Sequence, residues 1–233
     1  ARSARMSSPR PIRSHGRSFA GHRGSRDDHP MRVAATPIGP ARARTNMPDA
    51  LVIVDFQRDF TPPDGALPVP GGDEIAGRLN DLARDDRFVL VIATRDWHPP
   101  DHRSFRAQGG PWPTHCVQDT PGAELHPALD RSAIDTIVDK GQRPDTDGYS
   151  AFESAELVRL LREHTITRVT VVGLATDYCV LNTARDALRE GLVVTVDTSA
   201  IRAVDVARGD GDRALAELAR LGVGIVDLSR PSQ

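Results

Sequence analysis

Side chains that bind metal ions are concentrated in one short stretch of this chain, RDWHPPDHRSF, at residues 95–105. Asp96 and His98 are two positions apart, and side chains with that spacing share a face of an extended chain. Pro99 and Pro100 exclude a helix there and lower the entropy cost of holding the two ligands in place. The stretch therefore favours a metal site on an extended loop.

A third ligand is available from His115 in WPTHC, a second loop stiffened by prolines, and His102 is a candidate fourth ligand. One carboxylate with two or three imidazoles suits Zn, Mn or Fe(II), and it leaves coordination positions for water or a substrate atom. We therefore predict that Asp96, His98 and His115 bind one divalent metal ion. Whether His102 is a ligand or lies just outside the ligand sphere stays open.

One cysteine and one lysine are candidates for nucleophilic chemistry. Cys179 lies in VVGLATDYCVLNTARDAL, a pattern that predicts a buried strand, a tight turn and a helix with Cys179 in its first turn. A helix N-terminus favours the thiolate, and its unpaired N–H groups can hold an oxyanion. Lys140 is the only lysine among 30 basic residues, which indicates a position that needs a compact ammonium. Near a thiol, such a charge favours the thiolate.

Asp55 in VDFQRDF is the predicted proton-transfer residue. It follows a buried strand, where partial desolvation raises the pKa of a carboxyl group and suits it to exchange protons with a thiol and a leaving amine. Asp59, one turn away, is interpreted as structural. A cysteine in such a position is more often a small buried residue, so the prediction depends on Asp55, Lys140 and Cys179 lying together.

The elements that must position these residues begin at Ala50, where short Val- and Ile-rich runs start to alternate with longer amphipathic segments. Continuous apolar runs are typical of strands buried on both faces, and therefore of a parallel sheet covered by helices. The pattern predicts an α/β fold of three layers, with a doubly wound, six-stranded parallel sheet and helices on both faces. Ligands bind such sheets beyond the carboxyl ends of the strands. The first four predicted strands end at Asp55, Asp96, Lys140 and the ATDYCV turn, so we expect these to converge at one edge.

Two further features bear on this edge. A long loop, residues 97–134, separates the second and third predicted strands, and long loops in compact domains are more often functional than idle. Ser150 followed by Glu153 predicts a capping box at the start of a helix over residues 152–164.

The N-terminal segment differs in character from the remainder. Residues 1–46 carry ten arginines and only two acidic residues, a formal charge of +8, whereas the whole chain has a net charge of -2. Almost no periodic apolar residues occur there, so burial cannot offset the entropy of ordering. We predict a disordered basic extension over 1–46 and one folded domain over 47–233. A transit peptide, a nucleic-acid-binding arm and translated upstream sequence before Met47 are the alternatives for the extension.

Composition also bears on the cellular location and the partners of the protein. Two cysteines are too few for a disulfide scaffold, which favours a reducing cytoplasm. No apolar run reaches the roughly 18 residues that span a bilayer. We expect a cytoplasmic protein with a small-molecule substrate and no nucleic-acid or membrane partner, either a monomer or a homo-oligomer.

Several motifs together resemble the nicotinamidase (pyrazinamidase) branch of the isochorismatase-like cysteine hydrolases, whose fold is Rossmann-like. These are VDFQRDF, GALPVPGG, TRDWHPPDHRSF, WPTHCVQDTPGAELHP, the KG followed by DGYSAF, and VVGLATDYCVLNTARDAL. They cover about residues 50–200 in the order and with the spacing of that family. The resemblance implies hydrolysis of nicotinamide to nicotinate and ammonia through a cysteine thioester, with one divalent metal ion, Zn, Mn or Fe.

The resemblance also implies residue roles. Cys179 is expected to be the nucleophile, Asp55 the general base and acid, and Lys140 their electrostatic partner. Ala175 and Cys179 are expected to form the oxyanion hole with their N–H groups, beside a cis peptide bond after Leu174. The remaining implied roles are those of the metal ligands Asp96, His98 and His115 and of the substrate-binding aromatic residues Phe60, Trp112 and Tyr149.

Three alternatives remain open at this point. One is a related amidase for a carbamoyl or ureido compound, although such relatives generally lack the two metal loops. Another is a hydrolase in which a metal-bound hydroxide attacks and Cys179 is passive. The third is a non-catalytic small-molecule-binding homologue, against which the intact set of Asp55, Lys140 and Cys179 argues.

Overall fold

The fold is described from a computed structural model, in which residues 48–229 are placed. Six strands form one sheet in the order β3-β2-β1-β4-β5-β6, and every neighbouring pair is parallel. The strands are β1 (Asp49–Val54), β2 (Phe88–Asp96), β3 (Thr136–Lys140), β4 (Arg168–Leu174), β5 (Val193–Arg202) and β6 (Gly224–Val226). The prediction of a six-stranded parallel sheet is confirmed.

Four α-helices connect these strands: α1 (Ala76–Ala83), α2 (Ala155–Glu163), α3 (Leu181–Arg189) and α4 (Asp210–Arg220). Short 3-10 helices lie at Arg58–Phe60, Gly72–Ile75, Arg106–Gln108, Pro121–Ala123, Arg131–Ala133 and Ala151–Glu153, and a π-helical turn lies at Thr176–Val180. Within residues 48–229, none of the helices combines the length and the apolar character that crossing a bilayer requires.

The two faces of the sheet have separate apolar cores, because successive side chains of a strand point to opposite faces. Val52 and Val54 of β1 pack in one core with α2, α3 and α4, which contribute residues such as Leu157 and Leu218. Ile53 packs in the other core, with α1 and with the long loop between β2 and β3. Helices therefore cover both faces, as predicted, and the loop covers the part of one face that α1 leaves open.

The structure corrects one local prediction and refines another. The capping box does not form: Ser150 accepts the N–H of Phe152, and the Glu153 side chain accepts the N–H of Gly148. As a result the chain forms a single 3-10 turn at Ala151–Glu153, and α2 begins only at Ala155. Cys179 lies in the first turn of the helical segment after β4, as predicted, but that turn, Thr176–Val180, is π-helical and continues directly into α3.

The predicted N-terminal extension, residues 1–46, lies outside the described residues. Its disorder and the domain boundary at Met47 therefore stay predictions.

Candidate active site

Four chemically active side chains converge at the carboxyl ends of neighbouring strands. Asp55 directly follows β1, and Asp96 and Lys140 end β2 and β3, where the two residues pair in the parallel register. Cys179 follows β4, the strand on the other side of β1. All four side chains are buried. The predicted convergence is confirmed, and we refer to Asp55, Lys140 and Cys179 as the thiol cluster.

Lys140 is the centre of the thiol cluster. Its Nζ lies 2.8 Å from Asp55 Oδ2 and 2.5 Å from Asp96 Oδ1, and it donates to the Gly148 carbonyl oxygen at 2.6 Å. The Cys179 Sγ is 3.5 Å from the same nitrogen. Burial opposes the charged form, but the two carboxylates outweigh it and raise the pKa of Lys140 well above its ordinary value. Lys140 is therefore a permanently charged ammonium between two carboxylates and a thiol.

The two carboxylate oxygens of Asp55 have different neighbours, Thr94 and Lys140. Thr94 donates its hydroxyl to Asp55 Oδ1 at 2.7 Å. Asp55 Oδ2 is buried and contacts Lys140 as an ion pair, without the geometry of a hydrogen bond. Burial raises the pKa of Asp55 to about 6, although Lys140 acts to lower it. The predicted rise is confirmed in direction, and it suits a carboxylate that takes up and releases protons near neutral pH.

Cys179 is a protonated thiol in the resting site. Burial raises its pKa well above the ordinary value, and the opposing effect of the Lys140 ammonium is smaller. Lys140 thus acts in the expected direction, towards the thiolate, and its effect is smaller than that of burial. Acceptor oxygens of Asp55 and Asp96 lie within 4.8 Å of the Cys179 sulfur. The thiol thus has a base beside it to which its proton can be transferred during attack.

The turn that carries Cys179 begins at a cis peptide bond between Leu174 and Ala175, as the resemblance implied. The Ala175 carbonyl oxygen accepts the N–H groups of Tyr178 and Val180, which closes the turn. Just before it, a Cβ on Gly173 would lie 2.1 Å from the Val54 carbonyl oxygen. Only glycine permits β4 to approach β1 this closely, and the approach places the turn beside Asp55.

A second group, which we call the metal-ligand cluster, consists of Asp96, His98 and His115. One potential ligand atom from each residue lies within 4.8 Å of the others, and all three side chains are buried. Burial alone would raise the pKa of Asp96, but Lys140 and His98 lower it below its ordinary value, so Asp96 is ionised. An ionised carboxylate with two imidazoles matches the ligand chemistry of a borderline divalent cation.

The hydrogen bonds of the two imidazoles leave the correct nitrogen available for an ion. His98 Nδ1 lies 2.9 Å from the Gly141 carbonyl oxygen, and His115 Nδ1 lies 2.7 Å from the Pro113 carbonyl oxygen. A carbonyl oxygen can only accept, so each Nδ1 carries a hydrogen, and Nε2 is the nitrogen that can bind an ion when it is unprotonated. The backbone thus orients both rings as metal ligands.

His102 does not belong to this cluster of ligand atoms. It is fully buried, and its ring stacks on that of His98 with centroids 3.9 Å apart. Its Nδ1 faces the hydroxyl and the backbone N–H of Ser104. His102 therefore lies next to the predicted ligands, but its ring nitrogens do not belong to the group of ligand atoms that could hold one ion.

Sequence reasoning missed a residue that orients Asp96. The Gln57 amide accepts the N–H of Asp96 and donates to its carbonyl oxygen, both at 2.8 Å, and it also donates to the Ala123 carbonyl oxygen. The amide group therefore joins the end of β2 to the long loop. VDFQRDF contains the residue, but nothing in that motif shows which backbone it will contact.

Asp59 performs the structural role that was predicted for it. Its Oδ2 accepts the N–H of Cys116 at 2.7 Å, so it holds the residue next to His115. A Cβ on Gly122 would lie 2.3 Å from the same carboxylate, which shows how tightly the loop packs around Asp59.

A pocket with mainly apolar walls opens beside both clusters, and all three predicted substrate-binding residues line it. Trp112 donates its Nε1 hydrogen to the Tyr149 hydroxyl at 3.0 Å, which connects two of the walls. Phe60 contacts the ring of His115, with centroids 5.5 Å apart. The complete lining is Phe60, Leu67, Val69, Asp96, Trp112, His115, Tyr149, Ala175, Tyr178, Cys179 and Val204.

Tyr178 and Val204 are wall residues that sequence reasoning missed. The Tyr178 ring packs edge-on against Trp112 at 5.0 Å, and its position beside Cys179 in ATDYCV was a signal for a place in the site. Val204 gave no such signal. It is held by Asp177, whose carboxylate accepts the N–H groups of Val204 and Asp205 at 3.0 and 2.9 Å.

Comparisons with known proteins agree with this geometry. Residues 49–229 match the family model of the isochorismatase domain. The nicotinamidase of Escherichia coli is 40% identical over 206 residues, which span 78% of this chain and 96% of that protein.

Two solved structures are also similar. PnC1 from L. infantum in complex with nicotinate has a TM-score of 0.75 and 39% identity, over 79% of this chain and 95% of that one. Pyrazinamidase of Pyrococcus horikoshii in complex with zinc has a TM-score of 0.70 and 46% identity, over 77% and 98% of the two chains. This chain belongs to the isochorismatase family.

Proposed function

We propose that this chain is a nicotinamidase that hydrolyses nicotinamide to nicotinate and ammonia in NAD salvage, and that it also accepts pyrazinamide. The observation that carries the proposal is the single ammonium of Lys140 in contact with Asp55, Asp96 and Cys179, of which Asp96 and Cys179 line a pocket with aromatic walls. The E. coli relative supports the activity, and the L. infantum complex with nicotinate supports binding of a pyridine ring with a carboxyl substituent.

The first half of the reaction uses the thiol cluster. Asp55 Oδ2 accepts the Cys179 proton as the sulfur attacks the carboxamide carbon, and Lys140 stabilises the negative charge that develops on sulfur. The backbone N–H groups of Ala175 and Cys179 hold the oxyanion, where one donor is worth about 3 kcal/mol. Asp55 then gives its proton to the leaving nitrogen, the C–N bond breaks, and ammonia leaves a thioester on Cys179.

The second half restores the enzyme. A water molecule enters the position that ammonia vacated, and Asp55 removes its proton as the oxygen attacks the thioester carbon. The C–S bond breaks, nicotinate leaves, and the proton returns from Asp55 to the Cys179 sulfur. A carboxyl group with a pKa of about 6 can act as base and acid in turn near neutral pH.

We further propose that Asp96, His98 and His115 hold one divalent ion, with zinc the first candidate because the P. horikoshii relative is a zinc complex. Such an ion would orient the substrate through the nitrogen of its pyridine ring. Phe60 and Trp112 would hold the ring between them, with Tyr149 beside it. Restricting the substrate in this way lowers the entropic part of the barrier.

The competing hypothesis, in which a metal-activated water attacks and the thiol is passive, makes a different prediction for Cys179. The decisive experiment measures ammonia release from nicotinamide, together with metal content, in wild type and in Cys179→Ala. We expect the variant to keep its metal and to lose at least about four orders of magnitude in kcat, by analogy with nucleophile removal in other hydrolases. Cys116→Ala, which removes the other buried cysteine, is the control.

Each other outcome identifies a different failure. Turnover that survives in Cys179→Ala would support the metal-activated water. Wild type that releases ammonia only from a carbamoyl or ureido compound would move the activity to a related amidase. Wild type that binds nicotinamide and releases no ammonia would make the protein a binding homologue. The cytoplasmic location and the oligomeric state stay predictions.

A further inference from the structure

His102 differs from His98 and His115 in the direction of its hydrogen bonds. Its Nδ1 accepts, whereas the Nδ1 of each predicted ligand donates. In His98 and His115, Nδ1 faces a carbonyl oxygen, which can only accept. In His102, Nδ1 faces the backbone N–H of Ser104 at 3.3 Å, and a backbone N–H can only donate. The Ser104 hydroxyl, 2.7 Å away, is free to donate to the same nitrogen. Nδ1 of His102 therefore carries a lone pair and no hydrogen.

This assignment places the hydrogen of His102 on Nε2. A ring that carries a lone pair on Nδ1 is neutral and has a single N–H, which is at Nε2. A nitrogen that carries a hydrogen has no lone pair for a metal ion. The His102 nitrogen that is not already bonded is consequently a donor, whereas the corresponding nitrogens of His98 and His115 are available as ligands.

The Nε2–H group of His102 has no partner among the described residues. The atom is fully buried, and no acceptor within residues 48–229 reaches it. A buried donor without an acceptor costs about 1–3 kcal/mol, so such groups are bonded to something in nearly all proteins. The ring stacks on His98 and also contacts Phe105, and neither contact is a hydrogen bond to Nε2.

Resting on the metal site proposed above, we propose that His102 donates its Nε2 hydrogen to an oxygen ligand that completes the coordination of the ion held by Asp96, His98 and His115. Three protein ligands leave at least one coordination position for an oxygen donor. His102 is then a positioning residue for that ligand and not a fourth metal ligand. Partners of this kind typically change metal affinity by 10- to 100-fold.

The test combines X-ray absorption on the zinc-loaded protein, which counts imidazoles at about 2.0 Å from the ion, with zinc affinity from competition against a chromophoric chelator. His102→Phe keeps a ring that can stack on His98 but removes the N–H. His102→Gln restores an N–H donor without a ring. His126→Phe is the control, because His126 is a half-buried histidine that also packs on a phenylalanine, Phe56, away from the cluster.

We expect two imidazoles in wild type and in His102→Phe, with zinc affinity about 10- to 100-fold weaker in that variant. His102→Gln should recover most of the loss, and His126→Phe should match wild type. Thermal unfolding of the metal-free proteins checks that each variant folds.

Three results would overturn the inference while leaving the metal site intact. The first is three imidazoles at the ion in wild type and two in His102→Phe. The second is an unchanged zinc affinity in His102→Phe. The third is a His102→Gln variant that binds zinc as weakly as His102→Phe. By contrast, wild type that binds no zinc, or binds it with fewer than two imidazoles, would overturn the proposed metal site itself.

Discussion

The thiol cluster and the metal-ligand cluster lie at the same edge of the sheet, but the chain positions them in different ways. Asp55, Lys140 and Cys179 directly follow or end strands, so the hydrogen-bonded sheet sets their spacing. His98 and His115 belong to the long loop between β2 and β3, which contains only short 3-10 helices and isolated bridges. A regular sheet therefore supports one cluster, and individual side-chain contacts support the other.

The loop replaces the missing sheet with specific hydrogen bonds from buried polar groups. Gln57 holds both backbone groups of Asp96, and Asp59 holds the N–H of Cys116. The backbone of His98 also pairs with residues 116 and 118. Asp96 joins the two clusters, because one of its oxygens contacts Lys140 and the other lies 3.4 Å from His98 Nε2. Changes in the loop should therefore affect metal binding first, and changes at the strand ends should affect the thiol cluster first.

The largest expected effect tests the strand-borne side of this comparison. Lys140→Met leaves Asp55 and Asp96 buried without their counter-charge, and loss of one partner from a buried ion pair costs roughly 3–5 kcal/mol. The free energy of unfolding, measured with urea in the presence of a chelator, should fall by about that amount. Arg143→Met is the control, because its pair with Asp145 is exposed on both sides. A loss equal to that of the control would show that Lys140 has no structural role.

A smaller effect should separate the two clusters. Asp59→Asn removes the charge from the hydrogen bond to Cys116 N–H, so we expect zinc affinity to fall about 10-fold, as for other partners that orient metal ligands. The alkylation rate of Cys179 in the metal-free protein, followed by peptide mass spectrometry, should stay unchanged. Asp64→Asn, an exposed carboxylate in the same segment, should alter neither quantity. Faster or slower alkylation in Asp59→Asn would contradict the separation of the clusters.

The smallest expected effect concerns proton transfer in the thiol cluster. Asp55 must be ionised to accept the thiol proton, and it is ionised only above its pKa of about 6. We therefore expect kcat/KM for nicotinamide to fall as the pH drops below about 6. Thr94→Val removes the hydroxyl that donates to Asp55, which raises the pKa of that carboxyl and moves the decline to higher pH. An unchanged pH profile in Thr94→Val would assign the acidic limb to another group.

Particular residues show how far the chain could be interpreted before its folding was known. The Val- and Ile-rich runs predicted the sheet, and the residues that follow them predicted where Asp55, Asp96, Lys140 and Cys179 meet, because parallel strands end at one edge. The start of α2 was predicted wrongly, since Glu153 bonds Gly148 and not the backbone of Ser150. A capping pattern specifies which groups can bond locally, but a nearby loop competes for the same carboxylate.

The pKa of the Cys179 thiol also depends on the folded structure. Lys140, 39 positions away, lowers that pKa as expected, but the burial of Cys179 has the larger effect and raises it. Burial depends on every element that packs around the sulfur, so it cannot be obtained from the residues beside it.

The sequence by itself determined the α/β class, the strand ends and which side chains are candidate ligands and a candidate nucleophile, because hydrophobic periodicity and residue chemistry are local properties. Only the tertiary structure decided which partner each polar atom meets. Asp59 reaches an amide 57 positions away, Gln57 reaches a strand end 39 positions away, and Asp177 holds Val204 across 27 positions. Whether an imidazole presents a lone pair or a hydrogen to the ion depends on such partners, since a carbonyl oxygen and an N–H group fix opposite tautomers.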